Sequence, residues 1–376
     1  MAALAGGAVL AVPVWAAALD SARAGPGPYG PLGAPDRHGV RLPAGFSARL
    51  LARSGEPVGA SRHAWHFAPD GGATFALPDG GWVYVSNAEL SRPAGGASAL
   101  RFDAAGQVVD AYPILSGTHL NCAGGATPWG TWLSCEEFTL GQVWECDPRV
   151  RGQGVLRAAL GVFKHEAAAV DPATGIVYLT EDDENGRLYR YVPTRAGQLA
   201  EGRLQAALLA PGGAVDWVPV PDKRAYRLDD SSPIRRGEGA WFAQGVLYFC
   251  STSDHRVWAL YVSRNRIRVL YGGQTAGPAA ALRDPDNLTV HAPSGDVYVC
   301  EDGDNLECVL LATQAGGAVV APFLQMVGHD GSELAGVAFS PDGRRMLLSS
   351  QRGLAGASGN PGMTFEIGGP FRSGGR

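Results

Sequence analysis

Short apolar strands alternate with Pro/Asp/Gly turns along most of the chain after residue 60. In each unit a first strand leads into such a turn, and a second, strongly apolar strand follows and ends in an acid or an amide. Val, Tyr, Trp and Phe fill the second strand, which is typical of buried strands. The copies of this unit span residues 72–89, 121–137, 166–183, 238–254, 286–303 and 333–351.

Most of these copies start 44 to 50 residues apart. Repeats of this length, with several short strands each, are typical of propeller blades. We therefore predict an all-β fold, a six-bladed β-propeller around a central channel. The segments "RLYRYVP" (187–193) and "HRVWALYV" (255–262) are predicted to be third strands of their blades. The wider gap between the third and fourth copies contains "LQAALLAP" (204–211), which we interpret as an inserted helix or loop.

Donor residues stand at both ends of the predicted hairpins. In a propeller the first strand of each blade lines the channel and the second runs back, so both ends reach the same face. The first strands start at Cys122, Glu166, Glu238, Asp286 or Asn287, and Glu333. The second strands end at Glu89, Glu136, Glu137, Glu181, Asp182, Asp183, Asp254, Glu301 and Asp302. The sequence thus predicts a ring of acids at one mouth of the channel.

Carboxylates this close raise one another's pKa unless cations neutralise them. Numerous oxygen donors suit calcium, and one thiolate among them suits a softer ion such as iron. Any single acid is also explained as a solvated turn residue, and Cys122 as a small buried residue. The shared placement in six units favours a metal cluster, whereas Cys135, Cys250 and Cys300 lie within second strands and are predicted to be core.

Other candidate residues have two interpretations each. His66 and His165 are either ligands or proton carriers, or hydrogen-bonded structural histidines. Arg236 is either a surface charge or a bidentate clamp for phosphate. "EDDENG" (181–186) resembles a calcium loop, but Val192 stands where an EF-hand needs glutamate. The sequence contains no GxSxG, P-loop, GxGxxG or HExxH motif, which argues against a serine hydrolase, an NTPase and a nicotinamide enzyme.

Composition and the N-terminal sequence indicate which partners the protein binds and whether it is exported. The chain of 376 residues has a net charge of -5 and no basic stripe, so nucleic acid is not expected as a partner. Residues 1–24 form an apolar run that ends in Ala22-Arg23-Ala24, which predicts a signal peptide or an N-terminal anchor; a signal of the twin-arginine type and a buried helix are both open alternatives. No other segment is predicted to enter a bilayer. A single propeller domain is expected over residues 38–370.

The segment "NCAGGATPWGTWLSCEE" (121–137) resembles the PhoX-type alkaline phosphatases. Matching pieces also include "FKHEAAAVDPATGIVYLTED", "RRGEGAWF", "DPDNLTV", "CEDG" and "AGVAFSPDGRRMLL", and together they span most of residues 38–370. The resemblance implies that this chain is a short member of that family. It implies a six-bladed propeller that is exported to the periplasm or secreted, and that hydrolyses phosphomonoesters with iron and calcium ions at the channel mouth.

The resemblance also implies roles for individual residues. Cys122 and Glu137 would bind iron, Glu166 would bridge iron and calcium, Glu238 would bind calcium, and Arg236 would hold the substrate phosphate. Shorter matching motifs imply metal-binding roles for four further residues: Asp286, Asn287, Glu301 and Glu333. The expected partner is a small phosphoester, and a monomer is expected. Two other functions stay open: a calcium-dependent lactonase or esterase, and a non-enzymatic exported protein whose channel cations are structural.

Overall fold

The computed structural model describes residues 22–152, 154–221, 230–272, 282–314 and 317–373. The predicted signal segment therefore lies almost entirely outside the described residues, apart from Ala22 and the two-residue strand β1 (Arg23–Ala24). The described strands form six sheets arranged in a ring, each with its first strand on the channel, so the prediction of an all-β, six-bladed propeller is confirmed.

The blades follow one another along the chain. Blade 1 contains β4 (Pro69–Ala76), β5 (Trp82–Ala88), β6 (Gly95–Phe102) and β7 (Val108–Thr118). Blade 2 contains β8 (Asn121–Ala126), β9 (Trp132–Glu136), β10 (Val143–Cys146) and β11 (Val155–Leu156). Blade 3 contains β12 (His165–Val170), β13 (Val177–Glu181), β14 (Leu188–Arg195), β15 (Gln198–Leu209) and β16 (Val215–Pro219). Blade 4 contains β17 (Gly237–Ala243), β18 (Val246–Ser251), β19 (Arg256–Tyr261) and β20 (Arg266–Tyr271).

The last two blades recruit strands from the start of the chain. Blade 5 contains β21 (Pro285–Val290), β22 (Val297–Glu301), β23 (Glu307–Gln314) and β24 (Gly317–Met326), with β1 and β2 (Val40–Arg41) paired to β24. Blade 6 contains β25 (Leu334–Phe339), β26 (Arg345–Ser350) and β27 (Met363–Gly368), and its outer strand is β3 (Ser47–Arg53). The antiparallel pairing of β3 with β27 closes the ring, because it joins the two ends of the propeller through one sheet.

The interpretation of "LQAALLAP" as a helix or loop is wrong. Residues 204–209 of this segment belong to β15, which pairs with both β14 and β16 as the fourth strand of blade 3. Leu and Ala favour helix in isolation. Here Leu204, Ala206 and Ala207 are instead buried against blades 3 and 4, and tertiary packing overrides the local preference.

Apolar side chains pack between neighbouring blades. The inner strands approach so closely that a Cβ placed on Gly125 would lie 1.5 Å from the carbonyl oxygen of Ala168. All six cysteines are free and buried, and Cys135, Cys250 and Cys300 lie within the core, as predicted. Among the described residues, no helix has the length and apolar character needed to cross a membrane.

Candidate metal centre

A β-bulge marks the start of the inner strand in blades 1 to 5. After the first pair of the ladder the register shifts, so that two inner residues face one residue of the second strand. A bulge turns a side chain out of the regular alternation of a strand. The first bulged residues are Asp70, Cys122, Glu166, Glu238 and Asp286. In blade 6 the bulge falls later in the strand, and the acid, Glu333, precedes it.

These side chains form two donor groups that share one residue. The Cys122 thiol and the carboxylates of Glu137 and Glu166 offer ligand atoms that all lie within 4.8 Å of one another. Glu166 does the same with Glu238 and Asp286. Glu166 therefore stands between the two groups, where one carboxylate with two oxygens can serve both.

A third donor group adjoins the first. Asp70, Glu89 and Glu333 offer carboxylate oxygens within 4.8 Å of one another, and the Cys122 thiol donates to Asp70 Oδ2 at 3.4 Å. The Gln351 amide Nε2 lies among the three acids. It donates to Asp70 Oδ2 and Glu89 Oε2 at 2.8 Å each, and to Glu333 Oε1.

Burial and mutual repulsion disfavour the charged forms of these acids. Burial, followed by the charges of Asp182 and Glu89, raises the pKa of Glu137 to about 9. Burial and Asp182 raise the pKa of Glu238 to about 8, against the opposing effect of Arg236. The pKa of Glu166 lies well above its usual value for the same reasons, with Glu238 as the strongest neighbouring charge.

The donor set fits bound cations. Both carboxylate oxygens of Glu166 are buried and accept no hydrogen bond from the residues that the structure describes. A buried, unpartnered carboxylate is costly unless a positive charge accompanies it. Carboxylate oxygens are the donors that calcium prefers, and the thiol of Cys122 adds a ligand for iron or a similar ion. The mouth is therefore suited to hold several cations in contact.

Arg236 stands directly before β17, at the edge of these groups. Its Nε and Nη2 donate to the two carboxylate oxygens of Asp182 at 2.8 and 3.0 Å, and Nη2 lies 3.1 Å from Glu238 Oε1. The residue has a φ of +48°, and its backbone is fixed by hydrogen bonds with Asp183 and Thr252. Its Nη1 has no partner in the described part of the chain, and about a third of the side chain is exposed, 36%.

Two predicted ligands lie outside the three donor groups. Glu301 ends β22, but its Oε1 accepts the backbone N–H of Arg283 at 2.6 Å, and its raised pKa, about 8, comes chiefly from burial. The next residue, Asp302, is instead the one that acts electrostatically on Glu238 and Asp286. Asn287 is the second bulged residue of β21 and lines the channel one step below the mouth.

The two histidines are structural. His66 is buried with Nε2 3.2 Å from Ser86 Oγ, and His165 is buried with Nε2 3.2 Å from the carbonyl oxygen of Gly161. Burial lowers the pKa of each to about 3. Both imidazoles are therefore neutral at physiological pH, and neither belongs to a donor group.

The repeat pattern does not identify three residues of the mouth as donors: Asp70, Gln351 and Arg352. The first repeat, counted from Gly72, begins two residues after its donor. When "PDGG" (69–72) is aligned with "NCAG" (121–124), Asp70 occupies the position equivalent to Cys122. Arg352 follows Gln351, and its Nη1 lies 3.3 Å from Glu333 Oε2.

The fold and this site define a six-bladed β-propeller whose channel mouth is lined by one thiol and many carboxylates. The family model "Alkaline phosphatase PhoX" matches residues 79–143 and 138–275, which together are 197 (79 to 275) of the 376 residues. The chain belongs to this family. The matched region contains Cys122, Glu137, Glu166, Arg236 and Glu238. No protein matched among those with curated descriptions.

Solved structures agree on the fold. PhoX of Pseudomonas fluorescens, solved with vanadate as a transition state analogue, has a TM-score of 0.74 at 16% identity, over 93% of this chain and 98% of that chain. A protein of unknown function from Bacteroides thetaiotaomicron has a TM-score of 0.52 at 10% identity, over 86% and 76% of the two chains.

Proposed function

We propose that this protein is a metal-dependent phosphatase that hydrolyses phosphomonoesters at the channel mouth. The observation that carries the proposal is the pair of donor groups joined by Glu166, next to an arginine whose Nη1 has no partner among the described residues. Membership of the alkaline phosphatase PhoX family supports the same reaction class. A phosphomonoester is a small dianion, and a cluster of cations with an adjacent guanidinium matches its charge.

The donor atoms of each group indicate which metal ion it would bind. Cys122, Glu137 and Glu166 would hold iron, because their group contains the thiolate. Glu238 and Asp286, together with Glu166, would hold calcium, since they offer only oxygen. The group of Asp70, Glu89 and Glu333 would likewise hold calcium. Bound iron and calcium supply positive charge that neutralises the phosphoryl oxygens and polarises the phosphorus.

Arg236 contributes a fixed donor to the substrate. Asp182 and Glu238 hold its Nε and Nη2, so that Nη1, which has no partner in the described part of the chain, is available for a phosphate oxygen. Because two anchoring carboxylates restrict the guanidinium, little conformational freedom is lost on substrate binding. The same donor stabilises the negative charge that develops on the phosphoryl oxygens in the transition state.

The direct test is turnover by metal-loaded protein. The protein is expressed with iron and calcium, its metal content is measured, and hydrolysis of p-nitrophenyl phosphate is followed. We expect turnover that EDTA abolishes and that vanadate inhibits competitively. Metal-loaded protein without turnover of phosphomonoesters would remove the proposal, and hydrolysis of a lactone with calcium alone would replace it with the lactonase alternative.

A Cys122→Ser variant separates iron from calcium. We expect it to lose most of its iron and about a hundredfold or more in kcat/KM, while calcium at the all-oxygen groups is retained, because a serine hydroxyl is a much weaker iron ligand than a thiolate. Metal analysis and p-nitrophenyl phosphate assays check this. Cys135→Ser, in the same hairpin but facing the core, is the matched control. Unchanged iron in the Cys122→Ser protein would exclude the thiol as a ligand.

An Arg236→Lys variant tests the substrate donor. Lysine keeps the charge but lacks the planar guanidinium. Its single ammonium group therefore cannot pair with both carboxylate oxygens of Asp182 and also donate to a phosphate oxygen. We expect kcat/KM to fall about a hundredfold, as for other single transition-state donors. Arg235→Lys is the control, because Arg235 is exposed and pairs with Glu184. Activity unchanged in Arg236→Lys would show that only the positive charge matters, and an equal loss in Arg235→Lys would show that the effect is not specific to Arg236.

We also propose that the protein is exported and acts as a monomer on a small substrate. The apolar N-terminal run and the family support export. Fractionation of the native host, with the protein detected in the periplasm or medium, tests it; retention in the cytoplasm would contradict it.

A further inference from the structure

A cavity lies between blades 3 and 4, at the end of the propeller opposite the channel mouth. It has a volume of about 660 Å³ and is bounded by the β12–β13 turn, the β17–β18 turn and the β19–β20 connection. These turns lie far from the donor groups because the inner strands start at the mouth and end here. A volume of 300 to 1,000 Å³ is typical of sites for small organic ligands.

The walls of this cavity are largely apolar. The rings of Tyr178 and Phe242 face the same space at a centroid distance of 6.1 Å and an interplanar angle of 11°. Ile176, Val246 and Val262 complete the apolar lining. Two near-parallel aromatic rings with aliphatic neighbours suit a flat or extended hydrocarbon body.

One cation lies in the wall. The Arg190 guanidinium stacks on the Trp217 ring at 4.5 Å, and its Nε donates to Gln205 Oε1 at 2.8 Å. No carboxylate of the described residues pairs with Arg190, and burial lowers its pKa. Arg203 stands two positions from Gln205 on the same side of β15 and adds a second positive charge nearby.

The acid in the lining does not neutralise this charge. The two side-chain oxygens of Asp171 accept from the backbone of Ala173 at 2.9 Å and from Thr174 Oγ1 at 2.7 Å, within their own turn. The Arg190 side chain is thus half-buried, held in one orientation and without an ionic partner in the described part of the chain. A partly desolvated cation of this kind is stabilised most by an anion.

We propose that this cavity binds an organic anion with an apolar body, such as an aryl or alkyl carboxylate. The carboxylate end contacts Nη1 and Nη2 of Arg190, which have no hydrogen-bond partner among the described residues, and the body lies against Tyr178 and Phe242. The assignment rests on the cavity, its lining and a guanidinium without an ionic partner among the described residues, and it is independent of what the channel mouth does.

Calorimetric titration with two matched probes tests the proposal. The probes are 2-naphthoate and the neutral 2-naphthalenemethanol, which share the ring system. We expect wild-type protein to bind 2-naphthoate at least about tenfold more tightly than the alcohol, because a charge-assisted hydrogen bond is worth that factor or more. In the Arg190→Gln variant the preference should disappear, whereas Arg195→Gln, on the same strand and exposed, should leave it unchanged.

A second variant, which fills the cavity but leaves Arg190 in place, keeps the proposal testable if the Arg190→Gln protein does not fold. Val262→Trp keeps Arg190 but occupies the apolar space, and should abolish binding of both probes. Circular dichroism establishes that each variant is folded. Absence of 2-naphthoate binding to the wild type, equal affinity for the two probes, or wild-type binding in the Val262→Trp protein would each overturn the proposal.

Discussion

A Glu166→Gln variant is expected to lose at least about a thousandfold in kcat/KM for a phosphomonoester and to bind fewer metal ions than the wild type. Glu166 offers oxygens to two donor groups, with Cys122 and Glu137 in one and Glu238 and Asp286 in the other. Lewis-acid stabilisation is worth several kcal/mol, and about 1.4 kcal/mol corresponds to a factor of ten in rate. Loss of the shared ligand is therefore expected to remove roughly three factors of ten from kcat/KM, which is about a thousandfold.

The same substitution should have the opposite effect on the metal-free protein. The Glu166 carboxylate is buried without a hydrogen-bond partner among the described residues, whereas glutamine has the same shape and no charge to bury. We expect the Tm of the metal-free variant to rise by a few degrees. Glu184→Gln, an exposed acid on the same rim, is the control for both measurements. Wild-type metal content and activity in Glu166→Gln would contradict the bridging role.

Removal of metal is expected to make stability fall steeply with pH. The folded-state pKa values of Glu137, about 9, and Glu238, about 8, lie above the ordinary value of 4.5. An acid with a raised pKa binds its proton more tightly when folded, so its contribution is complete below about pH 4.5 and disappears as pH rises through the folded pKa. Each pKa unit corresponds to about 1.4 kcal/mol, so the total loss is on the order of several kcal/mol.

Thermal unfolding from pH 5 to 9, with EDTA or with iron and calcium, measures this effect. Without metal, the Tm should decrease continuously across the range. With metal, the decrease should vanish or reverse, because cations take over the role of the protons and bind the ionised carboxylates. The same pH dependence with and without metal would show that the mouth does not bind cations.

The blade count and the location of the mouth could be predicted because they depend on regular features. Apolar second strands recur at near-constant spacing, and antiparallel strands return to the face where they started. Neither inference needs the exact register of any strand. Closure of the ring by β3 could not be deduced in this way, because the strand belongs to no repeat and pairs across more than 300 residues with β27, as in Arg53 with Met363.

The identity of individual donors depends on the bulges, which the alternation of apolar and polar residues does not reveal. A shift of one residue exchanges the two faces of a strand. For this reason a repeat that is counted from Gly72 does not include Asp70. The same effect explains why the sequence places both Glu301 and Asp302 at the mouth, although only Asp302 faces it: adjacent acids point to opposite sides of the strand, and the residue types alone do not distinguish them.

The most direct test of the metal centre is a crystal structure of the protein as isolated, with anomalous diffraction data collected at the iron absorption edge. We expect an iron peak within bonding distance of the Cys122 thiol and of the carboxylates of Glu137 and Glu166. A mouth without an anomalous peak in iron-containing protein, or iron bound elsewhere in the molecule, would contradict the account.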